Sequence, residues 1–397
     1  MKMSSSANRK FLPLVCFVVF VVILSLAAVL GIREFQRAKP TTSSAKTMIH
    51  IEAPEKMVHT DGAATNFAAS PDGSLLIVSL TARAHSEPGI QVLPMATLRG
   101  ENLDVGSGLQ WARVAFAPDG MRFVIGGSWV VPRGDGDPQQ WDTPGVLQIW
   151  DTKTRSCRQR IVVGDRAVGR IAYDPKGHYV YFTFDGPQGG SVRRLDLKTG
   201  TITDVIVPES HVTIPWNGPW HADQLTISPN GRDLVASSTK GTLVWSLHEA
   251  RERFIAPPSA GATISPDGSQ LALAFTNHVK IIDMHTGKRI RELTLDKAIP
   301  GIRSVVRFSS DGRVLAAGMN DDPAFPSYLA VWKTTDYSHP VVFPCHKDCI
   351  LDMRFLPNTH TLVTASADDT LSFWDLDRRH NTKMENEAER FSDPETD

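Results

Sequence analysis

Short segments in which every second residue is apolar recur from about residue 64 to residue 376, as in VLQIW at Val146, YLAVW at Tyr328 and LSFWDL at Leu371. A period of two residues predicts strands with two unlike faces. Pairs of these segments are separated by one kind of turn. It reads SPDG at Ser70–Gly73, APDG at Ala117–Gly120, DPKG at Asp174–Gly177 and SPNG at Ser228–Gly231. It continues as SPDG at Ser265–Gly268, SSDG at Ser309–Gly312 and a degenerate LPNT at Leu356–Thr359. Successive turns start 47, 57, 54, 37, 44 and 47 residues apart.

A repeat of roughly 40 to 50 residues built from short strands predicts a β-propeller, each repeat forming one blade of four antiparallel strands a to d. Seven turns give seven blades, an all-β fold. In blade two the strands are read at Arg113–Ala117, Arg122–Gly126, Val146–Trp150 and Cys157–Val163. Equivalent third strands are SVRRLDL at Ser191, TLVWSL at Thr242 and VKIID at Val279. The last blade supplies only three strands, Ile350–Phe355, Thr361–Ser366 and Leu371–Asp375, before the sequence turns polar. Its fourth is expected from TMIHIE at Thr47–Glu52, which would close the ring and cover both open edges.

In an up-and-down meander the connections alternate between the two ends of a blade. The a-to-b connections are the short turns. The long segments, 81–88, 127–145, 185–190 and 319–327 between strands b and c, and 208–221 between d and a, all fall at the opposite end. That end is expected to carry Trp129, Trp141, Trp216, Trp220, Phe325 and Tyr328, with His85, His211 and His221 and the acids Asp135, Asp137, Asp142, Asp321 and Asp322. Rim aromatics suit a protein interface or a ligand site. They equally suit small cores folded beneath long loops.

Outside this body, Phe11–Ile32 is a 22-residue stretch without a charge, long enough to span a bilayer core. A cleaved signal peptide is the rival, but its apolar core would be shorter, so an uncleaved anchor is expected. Lys2, Arg9 and Lys10 before the span outweigh the mixed Arg33, Glu34, Arg37 and Lys39 after it. This places the amino terminus in the cytoplasm and the propeller outside, with a cytoplasm-facing propeller as the alternative. Residues 33–46 read as a flexible linker and 378–397 as a disordered polar tail.

With 42 basic and 43 acidic residues and a net charge of -1, no bulk attraction to nucleic acid is expected. No nucleophile elbow, phosphate-binding Gly-Lys loop or metalloprotease helix occurs, so no catalytic residue and no cofactor is assigned. The acids of GDGDPQQWD at Gly134–Asp142 fall short of an ordered calcium loop, and the histidines lack cysteine neighbours for zinc, so no metal is expected. Cys345 and Cys349 could close a small bridge or stand as separate thiols.

The last blade carries H-x-x-x-I-x-x-M-x-F followed by S-x-D-x-T-x-x-x-W-D, with His346, Ser366, Asp368, Thr370, Trp374 and Asp375 at those intervals. This pattern resembles the WD-repeat (WD40) propellers. Trp150 with Asp151 and Trp332 keep parts of it, whereas blades one, three and five lack the Trp. YVTN-like envelope propellers with S-P-D-G turns are a near neighbour. The resemblance implies that His346, Ser366, Asp368 and Trp374 form a buried structural hydrogen-bond chain. It also implies a monomeric, non-catalytic scaffold for protein partners. The alternative is an enzyme or small-ligand receptor with its site at the mouth of the central channel.

Overall fold

The structure is a computed structural model. It describes residues 53–377 apart from 82–88, 133–140, 187–188, 207–223, 239–240, 260, 276–277, 296–303, 320–325 and 339. The expected membrane span, linker and polar tail lie outside these residues.

The described strands form seven four-stranded antiparallel sheets and one two-stranded hairpin. Five sheets take four consecutive strands, that of blade two has the hairpin inserted between its second and third strands, and the seventh joins a strand near residue 56 to the last three. The inner strands are Ala64–Ala69, Leu109–Phe116, Val168–Tyr173, Gln224–Ile227, Gly261–Ile264, Ser304–Phe308 and Ile350–Phe355. Each touches the next around a closed ring, and the last touches the first.

Alternation along the strands builds the core between blades. Seven clusters of buried apolar side chains occupy the seven blade interfaces. One of them packs Phe67, Leu76 and Leu93 of the first blade against Val363, Leu371 and Phe373 of the last. Close approach is needed at Gly126, where a Cβ would stand 2.5 Å from Ile171 Cδ1 and 2.8 Å from Leu147 Cδ2.

The repeated turns form a ring of their own. In the first, Gly73 N–H donates to Ser70 O at 2.8 Å, Ser70 Oγ to Asp72 Oδ1 at 2.5 Å and Leu75 N–H to Ser70 Oγ at 2.9 Å. Gly73 takes φ +71°, a left-handed conformation that glycine adopts without steric cost. Each such glycine faces the proline of the preceding turn, as Gly120 faces Pro71. Where Ser310 replaces that proline, the next turn has no glycine. Asn358 holds the positive φ there, and its N–H donates to Ser310 Oγ at 3.1 Å.

Three sequence expectations are corrected. The described closing strand is Lys56–His59, which pairs antiparallel with Thr370–Asp375 from Lys56↔Phe373 to His59↔Thr370 in the place expected for Thr47–Glu52, a segment outside the described residues. The 127–145 connection is partly strand: Arg122–Trp129 runs longer than expected, and Val131–Pro132 pairs with Trp141–Asp142. Pairing also continues through 185–190 as far as Gly186↔Gly189, so this segment is a tight hairpin rather than a long loop.

Candidate functional site

Where the outer strand of blade six meets blade seven, the side chains of three strands form one buried chain. Trp374 Nε1–H donates to Thr364 Oγ1 at 3.0 Å. His346 Nε2 lies 2.7 Å from the same oxygen, and His346 Nδ1 lies 3.1 Å from Asp368 Oδ2. One proton arrangement satisfies all four groups: Thr364 donates to Nε2, and Nδ1–H donates to the carboxylate. Asp368 also accepts from Thr370 Oγ1 at 2.5 Å and Lys347 N–H at 3.0 Å. Burial opposes its ionisation, but the hydrogen bonds from His346 and Thr370 outweigh burial and hold the carboxyl well below its ordinary range.

Ser366 stands outside the Trp–His link. Its hydroxyl donates to Asp348 O at 3.3 Å and accepts from Asp368 N–H at 3.1 Å. Thr364 and Ser366 project to the same side of their strand, so the sequence alone leaves two candidates for the bridge. Blade two solves the same problem differently, with Trp150 Nε1–H donating to Gln148 Oε1 at 3.0 Å.

At the long-connection end, the described aromatics have structural partners. Trp129 is half-buried against the interface of blades one and two, with the Arg160 guanidinium 4.3 Å above its ring. Tyr328 packs on the interface of blades five and six. The backbone of Trp141 lies in the two-stranded hairpin. Trp216, Trp220 and Phe325 lie outside the described residues, as do His85, His211, His221, Asp135, Asp137, Asp321 and Asp322. No cluster of three or more potential metal ligands occurs among the described residues.

Sequence reasoning passed over Trp111. It is 61% exposed, the most exposed aromatic among the large apolar side chains of the described residues, and holds a left-handed backbone at φ +52°. The cause is a bulge in the inner strand of blade two: Gln110 pairs with Ser128, whereas Arg113 pairs with Gly126. An extra residue therefore turns outward at the b-to-c end. A bulky residue at positive φ costs free energy that the surrounding structure must offset. The signal was present in the chain. Leu109, Ala112 and Val114 are buried, a spacing of three and then two that breaks strict alternation.

The channel is lined by the inner strands. Among their described residues they carry four arginines, Arg113, Arg170, Arg307 and Arg354, and one acid, Asp352. Asp352 is 3% exposed. It accepts from Asn66 Nδ2 at 2.8 Å, Met353 N–H at 2.9 Å and Arg307 Nη2 at 3.2 Å, and pairs with Arg354 Nε at 3.4 Å. Asn66 Oδ1 in turn accepts from Val114 N–H at 2.8 Å, so the network joins blades seven, one and two. Burial opposes ionisation of Asp352, but Arg354 and Arg307 outweigh it and keep the carboxyl below its usual range. Arg307 reaches across the ring from blade six to Gln224 Oε1 in blade four at 3.2 Å. Burial pushes it down to about 10; Asp352 opposes that fall, while repulsion from Arg354 and Arg170 adds to it, and the group remains charged at neutral pH.

Cys345 is buried and donates to Ser327 O at 3.3 Å, and burial pushes its thiol up. Neither it nor Cys349 is in a disulfide.

The profile of the family described as WD domain, G-beta repeat matches residues 338–375, the outer strand of blade six and the three strands that follow. The chain is 30% identical over 163 residues to p21-activated protein kinase-interacting protein 1-like of Gallus gallus, covering 40% of this chain and 42% of that relative. It is 24% identical over 240 residues to target of rapamycin complex subunit wat1 of Schizosaccharomyces pombe, 58% of this chain and 71% of wat1. Small ribosomal subunit protein RACK1 of the same yeast is 27% identical over 29% of this chain and 38% of its own. The fold matches a chain in the crystal structure of the mitotic checkpoint complex with a TM-score of 0.65 at 14% identity, over 86% of this chain and 97% of that one. The alignment spans less than half of the chicken relative, and the shared feature is the repeat. The protein is a seven-bladed β-propeller in which residues 338–375 match a WD40 repeat that starts on the outer strand of blade six and runs through three strands of blade seven.

Proposed function

We propose that this chain is a membrane-anchored, non-catalytic scaffold that holds a protein partner on the end of the propeller carrying the b-to-c and d-to-a connections. The exposed Trp111 carries this reading. It is a rigid aromatic presented at a backbone cost, and interfaces gain most of their affinity from a few such anchors. Trp141, Trp216, Trp220 and Phe325 belong to connections of the same end and would extend the contact, while Trp129 and Tyr328 support it from beneath. Two relatives support it as well: one is named as a p21-activated protein kinase-interacting protein, one as a subunit of the target of rapamycin complex. Residues 11–32 would supply the anchor, with the propeller on the extracytoplasmic side by the charge balance around the span.

One experiment separates the two parts of the proposal. Full chains are expressed in cells, cross-linked and sedimented with membranes. Trp111→Asn keeps a residue that tolerates the left-handed backbone, so it should sediment with membranes, melt at or above the wild-type temperature and lose the cross-linked partner. Deletion of 11–32 should abolish sedimentation and retain capture. Wild-type capture by Trp111→Asn refutes the interface, and sedimentation of the deleted chain refutes the anchor.

A further inference from the structure

At the plain end, a cavity of about 190 Å³ opens between blades five and six. Phe308, Tyr337, Asp267 and Asp311 line it, and no Lys, Arg or His among the described residues does. Tyr337 holds a left-handed backbone at φ +54°, at a turn position where blades three and five place Gly200 and Gly287 with the same hydrogen bond to the residue four before. A tyrosine there carries a backbone cost that glycine avoids. Its hydroxyl donates to Gln270 Oε1 at 2.7 Å, which fixes the ring against blade five. Burial pushes the phenol up to about 12, with Asp267 adding to the rise and Arg291 opposing it, so the ring stays neutral.

Among the described residues, no basic side chain pairs with Asp267. It accepts from Ser265 Oγ, from Ser269 N–H at 3.0 Å and from Ser269 Oγ at 2.8 Å. The other charges are offset: Asp311 faces His360 at 3.0 Å and Arg313 at 3.6 Å, and Arg291 acts on Asp336. The turn itself does not need the charge. In blade four Asn230 makes equivalent bonds, accepting from Ser228 Oγ at 2.7 Å and from Arg232 N–H at 2.9 Å.

We propose that this cleft binds a primary ammonium group on a short aliphatic stem, Asp267 taking the charge and the rings of Tyr337 and Phe308 taking the stem. The end of a lysine side chain and a free alkylamine share this chemistry. The cavity is smaller than the roughly 300–1,000 Å³ that hold drug-sized ligands, and suits a single short chain. A carboxylate offers about four acceptor positions, and Asp267 uses three of them within its turn. One position suits the point charge of an ammonium better than the two-pronged fork of a guanidinium. Aromatic rings add an attraction for a cation that a purely acidic surface lacks. The site lies at the end of the blades opposite Trp111, so its ligand and a partner held there do not compete.

The test follows the ring signals of the full chain, carbon-13 labelled at its five tyrosines and held in detergent, during titration with n-butylammonium chloride at constant ionic strength. The signal missing from Tyr337→Gly, a change the left-handed backbone accepts, identifies Tyr337. A saturable shift of that signal is expected, which neither sodium chloride nor n-butanol reproduces. Asp267→Asn keeps the bonds of the turn and should weaken binding on the order of threefold to fivefold. Asp72→Asn, the same change in the matching turn of blade one, should bind as wild type. Melting of each variant reports whether it folds. Nα-acetyl-lysine methylamide forms a second arm: binding tighter than butylammonium assigns the site to a lysine side chain, and weaker binding assigns it to a free amine. Three results overturn the proposal: a Tyr337 signal that does not saturate with either amine, an equal shift from n-butanol, or unchanged affinity in a folded Asp267→Asn.

Discussion

Thr364 has two buried partners and satisfies both with one hydroxyl, accepting from Trp374 and standing within bonding distance of His346. Its replacement by valine keeps the shape and removes the bridge, leaving each partner to lose about 1–3 kcal/mol. Thr364→Val is therefore expected to lower the urea midpoint of the propeller and to shift the indole N–H resonance of Trp374. Ser366→Ala should leave that resonance in place, because the Ser366 hydroxyl binds Asp348 O and Asp368 N–H instead. A resonance that moves with Ser366 and not with Thr364 contradicts this assignment. The residue types of the network were legible in H-x-x-x-I and S-x-D-x-T-x-x-x-W-D. Which of two hydroxyls on one strand face makes the bridge depends on the cross-strand register, Leu362 against Trp374 and Thr364 against Ser372, and that register is a tertiary quantity.

Among the elements, the outer strands are the least legible in sequence. Cys157–Gly164 and Arg289–Thr294 are mostly exposed, and so is Lys56–His59, because a strand at the rim packs on one side only. Apolar alternation then fails as a guide, and TMIHIE looked the better closing strand. The pairing takes Lys56–His59 instead, and the chain length between rim and channel fits it. Crossing from the fourth strand of one blade to the first of the next spans three inter-strand spacings, about 14 Å. Thr60–Ala63 just covers this, and Thr60 N–H fastens the crossing to Asp369 O at 2.9 Å. Deletion of 56–59 should lower the melting temperature by several degrees and promote aggregation through the uncovered edge of Thr370–Asp375. Deletion of 47–51 should leave melting unchanged. Light scattering and calorimetry on the two deletions check both expectations, and a stable chain lacking 56–59 would show that the ring does not need this closure.

On the scale of the whole molecule, the seven interfaces form a closed series, so a perturbation at one is felt by the ring. The interface between blades six and seven carries a titrating contact. His360 Nδ1 lies 2.7 Å from Asp377 Oδ1, and Nε2 lies 3.0 Å from Asp311 Oδ2 in the preceding turn. Burial opposes protonation of His360, but the hydrogen bonds to Asp377 and Asp311 outweigh it and raise the group above its ordinary 6.5. Burial also opposes ionisation of Asp311, and bonds from Ser309, Arg313 and His360 bring it down to about 2. A raised folded-state value means that the contact stabilises fully below 6.5, weakens as pH rises and is gone above the raised value. Melting temperatures of wild type and His360→Gln should thus differ most near pH 6 and converge in mildly alkaline buffer. A gap that widens with pH refutes the contact.

The repeat, the number of blades and the split between a plain and an elaborated end were determined by sequence alone. A period of two, a recurring four-residue turn and a spacing near 45 residues are local properties that only one architecture satisfies. Three things were decided by tertiary structure: the closing strand, the outward turn of Trp111 and the meeting of Asn66, Arg307 and Arg354 around Asp352. The first and last depend on residues far apart in the chain being brought together by ring closure, and the second on the register of two neighbouring strands. Asn66 and Asp352 stand 286 residues apart, and no local pattern records that they meet.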